Sequence, residues 1–208
     1  ELYALAYDKM ALVKTRHGDK LSEAMLDKAI HAFAPIEDTS DTPVLLTSGA
    51  ADEDGRKKLQ RIDVINLRRK LDKMGVPKKG RRLVLCSDHV SDLLESDQKF
   101  QNQYHDYSTG VISKMYGFEI YEASKCPLFD YTTKKKKSFG SVATANDFEA
   151  SVFFYVPRML KCKGSNKMYY SKAENDPLYK RNLVSFTARF VAIPQKRENA
   201  VGAIVSGK

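Results

Sequence analysis

Residues 87–92, "SDHVSD", gather a hydroxyl, an imidazole and two carboxylates in six positions: Ser87, Asp88, His89 and Asp92. These are the groups of a hydrolytic triad, but a triad needs them to converge in space, which neighbours in one helical turn rarely do. Ser87 reads better as the cap of a following helix, with His89 in its first turn. His17 and His31 stand fourteen residues apart on one helical segment, too far to share a ligand. Asp52 and Asp54 read as loop or cap carboxylates. The chain carries no GxSxG, HExxH or Walker sequence. Cys86, Cys126 and Cys162 form no CxxC pair, which argues against a structural zinc and for reduced thiols of a cytosol-made protein. The reading is therefore not an enzyme, with no cofactor and no metal.

The glycines and cations of "LDKMGVPKKGRRLVLCS" (71–87) look like a phosphate-gripping loop. Such a loop leaves a strand and opens a helix, so that backbone N–H groups face the anion. Here an amphipathic segment precedes the glycines and an apolar one follows. Gly75 is a helix stop, Pro77 bars resumption and 81–87 is a strand. The order is the reverse of a phosphate loop.

Charge is the strongest remaining signal. The chain of 208 residues carries +9, and residues 55–82 hold twelve Lys and Arg against Asp63 and Asp72. A patch of this density attracts nucleic acid or an acidic protein surface; a solvated helix face is the competing reading. The candidate contacts are Arg56, Lys57, Lys58, Arg61, Arg68, Arg69 and Lys70, joined by the run Lys134, Lys135, Lys136 and Lys137. Four adjacent lysines suit a flexible, solvated loop tip.

The elements that must position these residues follow from periodicity. Residues 2–34 read as one very long helix. Leu2, Leu5, Ala6, Leu12 and Val13 supply its first half, and Leu21, Met25, Ala29 and Phe33 form a stripe in the second. Gly18 weakens its middle and Pro35 ends it. A strand is expected at 44–48, a loop at 49–55 and a second helix over 56–74 with Val64, Leu67, Leu71 and Met74 on one face. Another helix is expected over 88–100, then a polar loop at 101–109. "GVISKMYGFEIYEAS" predicts strand, turn at Gly117, strand, and "CPLFDYTTKKKKSFGS" a polar excursion. From Val142 the pattern is mostly β, and Phe153, Tyr155, Phe186 and Phe190 are expected to pack in cores. The fold class is α+β without internal repeats. With 42% hydrophobic residues the chain is expected to be globular. No stretch approaches the ~20 apolar residues of a membrane span, and "ELYALAYDKM" is not a signal peptide.

The order of these pieces resembles one family. "YALAYDKMALVKTRHGDKLSEAMLDKAIHAFAP" is similar to the spine helix of the major capsid proteins of tailed bacteriophages with the Hong Kong 97-like fold. "LRRKLDKMGVPKKGRRLVLCSDHVSDLL" resembles that family's helix, basic glycine turn, strand and helix. "GVISKMYGFEIYEASKCP" resembles its next strand pair, and "VSFTARFVAIPQKRENAVGAIVSG" its closing strands. The resemblance implies a peripheral lobe of residues 1–43 plus 151–208, with the spine helix and β-rich tail, and an axial lobe of 44–150. It implies a virion coat protein, made in the bacterial host cytoplasm, whose hexamers and pentamers form an icosahedral shell around packaged double-stranded DNA, with a scaffold protein as a further partner. Members carry an N-terminal arm and extended loop ahead of the spine helix, whereas this sequence starts at the helix; shells are therefore expected of the full-length protein and a monomer of this fragment. In this setting the basic residues face neighbouring subunits, scaffold or DNA. The alternatives are a basic nucleic-acid-binding module and a bacterial cargo shell protein of the same fold.

Overall fold

The computed structural model describes residues 9–105, 113–171, 178–179 and 183–208. The expected helical residues Leu2, Leu5 and Ala6, part of the loop at 101–109 and the first residues of the strand pair after it lie outside these. In chain order the elements are α1 (Lys9–Phe33), β1 (Val44–Leu46), α2 (Arg61–Lys73), β2 (Arg81–Cys86), α3 (Ser87–Ser96) and α4 (Gln98–His105). There follow β3 (Ser113–Met115), β4 (Phe118–Ala123), β5 (Leu128–Asp130), β6 (Asp147–Tyr155), β7 (Met159–Lys163), β8 (Lys167–Ser171), β9 (Leu183–Thr187), β10 (Phe190–Pro194) and β11 (Val201–Val205). The chain is α+β, as its patterning predicts.

α1 runs 25 residues without a break at Gly18, whose missing side chain faces open space. The up to ~1 kcal/mol that a helical glycine costs is too little to interrupt a helix of this length.

Two compact units divide the chain. The larger comprises Lys28–Leu160 and Ala192–Lys208, the smaller Glu1–Asp27 and Lys161–Val191. These boundaries differ from the lobe limits 43/44 and 150/151: residues 28–43, 151–160 and 192–208 lie with 44–150. The reason is strand pairing. β11 is parallel to β1 and antiparallel to β6, so the closing strand is built into the sheet of the middle segment.

That sheet has the order β1-β11-β6-β2-β4-β3, and β5 pairs with the first residues of β6. β2 is parallel to β4 and antiparallel to β6. Side chains alternate across a strand, and both faces here are covered. Leu83, Leu85, Phe153 and Ile204 join Val64, Leu67 and Leu71 of α2, Val90 and Leu93 of α3 and Phe100 of α4 in one core. Val84, Val152, Ala203 and Val205 point the other way, into a second core with Ile30 and Ala34 at the end of α1. Burial on both faces explains why β2 and β11 read as continuous apolar runs. In the smaller unit β8 and β9 form an antiparallel pair, and His17 stacks on Phe186 at 5.4 Å. β7 pairs with β10.

Gly75 ends α2 as expected, at φ +72°. The N–H of Val76 donates to the Leu71 carbonyl and that of Gly75 to Asp72, a complete Schellman closure. Tyr116 and Gly117 both have positive φ, the backbone of a tight two-residue hairpin turn between β3 and β4.

Four expectations are corrected. α2 begins at Arg61 rather than 56, because Ala51 and Lys57 form a β-bridge and the Lys58 N–H donates to the Ala50 carbonyl. The helix over 88–100 is two helices broken at Asp97, whose carboxylate accepts the N–H groups of Lys99 and Phe100 and so starts α4. α4 also takes residues 101–105 from the expected loop. Ser87 is not the cap of α3: Cys86 holds that position and makes no side-chain cap bond.

Candidate functional site

The triad candidates do not converge. His89 is 0% exposed. Its Nδ1 lies 2.6 Å from Ser151 Oγ and its Nε2 2.9 Å from Ser206 Oγ. Burial pushes its pKa down to about 4, so the ring is neutral, donating through one nitrogen and accepting at the other. Ser87 is exposed, and Asp92 serves Arg56. Cys86 is buried, and burial pushes its thiol up to about 12. These groups hold β2, α3, β6 and β11 together. Among the described residues no His, Cys, Asp and Glu cluster could hold a metal, and no helix is long and apolar enough to cross a membrane.

The basic candidates separate into three groups. Arg56 and Lys58 are tied inside the larger unit. Arg56 grips Asp92 with two bonds of 2.8 Å and donates from Nε to Asp52 at 2.9 Å. Asp92 also accepts the Leu59 N–H at 2.8 Å. Burial works to raise the Asp92 pKa, but the Arg56 bonds and the Leu59 N–H outweigh it and hold the carboxyl below its ordinary range. Lys58 pairs with Glu95 at 2.7 Å. Lys57 is exposed, and its backbone N–H donates to Gly207.

The second group, Lys134–Lys137, is not a free loop tip. Lys134 pairs with Asp38 at 2.8 Å, Lys135 with Glu37 at 3.2 Å and Lys137 with Asp147 at 3.3 Å. Lys136 donates from Nζ to the carbonyls of His31 at 2.8 Å and Ala34 at 3.1 Å. These are orphan acceptors at the end of α1, where the helix dipole favours a cation. Burial, then the nearby Arg197, lower the Lys136 pKa to about 8. His31 Nε2 lies 3.0 Å from the Lys137 carbonyl and donates to it. A sharp turn, with Lys134 at φ +54°, lets adjacent lysines point to different partners.

The third group is the outer face of α2. At 100° per residue, Val64, Leu67 and Leu71 turn inward and are buried, while Ile62, Ile65, Arg69 and Lys73 lie opposite and Arg61 stands on the flank beside them. Ile62 is 47% exposed. Ile65, Arg68, Arg69, Asp72 and Lys73 line one shallow depression, and Gln60, Arg61, Ile62, Ser96 and Asp97 a second. Arg68 lies 3.6 Å from Asp72. Arg61, Arg69, Lys70 and Lys73 make no ion pair among the described residues.

Sequence reading missed two features. Arg81, 1% exposed, donates to Asp72 at 2.6 Å and to the carbonyls of Val76 and Pro77, fastening the turn after α2. No local pattern separates it from the exposed cations beside it. The pair Ile62 and Ile65 was legible, since both fall outside the Val64-Leu67-Leu71 stripe.

No family model and no curated protein sequence matches the chain. Solved structures do. A chain from Mycobacterium phage Che8 aligns over 97% of this chain and 64% of its own, with TM-score 0.61 and 16% identity. A chain from the capsid of the cyanophage P-SCSP1u aligns over 98% and 68%, with TM-score 0.57 and 15% identity. One from the mature capsid of bacteriophage PhiM1 aligns over 96% and 65%, with TM-score 0.59 and 17% identity. The chain thus spans about two thirds of the chains it matches, and over that span it has the fold of phage capsid chains.

Proposed function

We propose that this chain is a structural subunit of a phage head: a major capsid protein of the Hong Kong 97-like type, without enzymatic activity, that assembles into an icosahedral shell around double-stranded DNA. The observation that carries this reading is the likeness, over nearly the whole chain, to chains from two named phage capsids. The continuous α1 supports it as the expected spine helix. Hexamers and pentamers are the proposed assemblies, made in the bacterial host cytoplasm, with a scaffold protein as assembly partner. The two lobes belong to the same proposal. The peripheral lobe holds α1 as far as Asp27 and the β-rich segment 161–191, and the axial lobe holds the end of α1 and the sheet of the larger unit, with β11 and all of β6 assigned to it.

The competing nucleic-acid-module reading loses support from the geometry. Arg56, Lys58 and Arg81 spend their charge on Asp92, Asp52, Glu95 and Asp72, and duplex binding scales with the cations left for phosphate. The open residues Arg61, Arg69 and Lys70 are the proposed contacts to another component of the particle.

The test is expression of the full-length protein in a bacterial host, followed by gradient sedimentation and electron microscopy. Shells or capsomers are expected. Monomers alone, with or without a co-expressed scaffold protein, would overturn the proposal.

A further inference from the structure

α2 has two apolar faces, and among the described residues only one is packed in a core. Val64, Leu67 and Leu71 fill the core. On the opposite side Ile62 and Ile65 stand three residues apart, one above the other, with Ile62 about half exposed. β-branched residues are poor helix formers, so helix propensity gives no reason for them there. Around them stand Arg61, Arg68, Arg69 and Lys73, against the carboxylates Asp72 and Asp97. Asp72 is already engaged by Arg81 and, at 3.6 Å, by Arg68, and Asp97 accepts the N–H groups that start α4. Both shallow depressions of this surface have an isoleucine and an arginine in their lining.

We infer that the outer face of α2 is a docking surface for an acidic amphipathic segment of another protein, its apolar residues covering Ile62 and Ile65 and its carboxylates meeting Arg61, Arg69 and Lys73. This rests on the reading of α2 as a contact surface of the particle, but not on shell formation. Charge complementarity selects an anionic partner. The isoleucines select between anions: a phosphate backbone gains nothing from a branched aliphatic pair, whereas a peptide's leucines bury it. Guanidinium groups, which dominate the face, pair with carboxylates in planar two-bond geometry.

The test uses the 208-residue chain and a fluorescent synthetic helix of about 14 residues, matching the ~20 Å length of α2. The helix carries glutamates on one face and leucines on the other. A poly-glutamate peptide of equal length and a short DNA duplex are the comparison probes. Fluorescence anisotropy is expected to show the amphipathic helix binding more tightly than either. Reversal of Arg61, Arg69 and Lys73 to Glu should weaken it by about a hundredfold or more. Ile62→Ser should weaken it about tenfold, with an unchanged salt dependence and an unchanged melting temperature that certifies the fold. The inference is overturned if duplex or poly-glutamate binds as tightly, if Ile62→Ser has no effect, or if nothing binds at low salt. A negative result here with shells still formed would remove the docking surface alone. Binding without shells would remove the capsid reading alone.

Discussion

Lys134–Lys137 and the outer face of α2 are both basic clusters within the larger unit, and the sequence presents them alike. In the fold they are opposites. The four lysines each find an acceptor within the chain, three in carboxylates and Lys136 in the carbonyls at the end of α1. On α2, Arg61, Arg69 and Lys73 have no ion-pair partner among the described residues and share two depressions with two outward isoleucines. A run of cations is thus not evidence of a partner. What distinguishes the two is whether the chain brings acceptors of its own, and whether unburied apolar surface accompanies the charge.

The largest effects should come from cations turned inward. Arg56 looks in sequence like any member of the basic segment, yet it neutralises Asp92, which is 4% exposed. Arg56→Met should destabilise the chain by about 3–5 kcal/mol, because a buried carboxylate is left unpaired. Adding Asp92→Asn, which removes the charge but keeps an oxygen for the Leu59 N–H, should restore much of that loss. Chemical denaturation reads both, and a double variant no more stable than the single would break this view of the pair.

Lys136→Met comes next, at about 1–3 kcal/mol for charge-assisted bonds to helix-end carbonyls left without their donor. Its pH dependence sharpens the point. Folding lowers the Lys136 pKa from 10.5 to about 8, chiefly by burial. Between those values the unfolded chain holds more protons than the folded one, so the Lys136 contribution to stability rises as pH rises. The stability gap between the parent chain and Lys136→Met should therefore widen from about pH 8 to 10.5. A gap that narrows would show that Lys136 is not buried against α1.

What could be read from the sequence follows from the range of the interactions. The inward stripe of α2, the Gly75 stop, the turn at Gly117 and the apolar β2 are set within a few residues, and the structure has them. The break at Asp97 and the late start of α2 depend on one carboxylate capping a new helix and on a strand-like bridge at Ala51 and Lys57. The pairing of β11 with β1 joins segments about 160 residues apart, and nothing local encodes it. The same holds for the site. Arg56–Asp92 and Lys136–His31 span 36 and 105 positions, so no reading of composition could tell the bound cations from the open ones. Only the isoleucines of α2 marked the open cluster, as residues out of phase with the core stripe.

The smallest effect on stability is expected where the cations face outward, and that smallness is itself the discriminating result. Arg69→Ser with Lys73→Ser removes two charges from α2 that have no ion-pair partner among the described residues, so stability should change by about 0.5 kcal/mol or less. The helix dipole sets the sign: Lys73 lies in the last turn of α2, where a cation is favourable, so the change should be a slight loss. Loss of a few tenths with intact folding, alongside the large cost at Arg56 and Lys136, would mean that these two side chains do not hold the fold and are open to a partner. A loss comparable to that of Lys136→Met would mean instead that the α2 cations are structural, and the contrast between the two clusters would disappear.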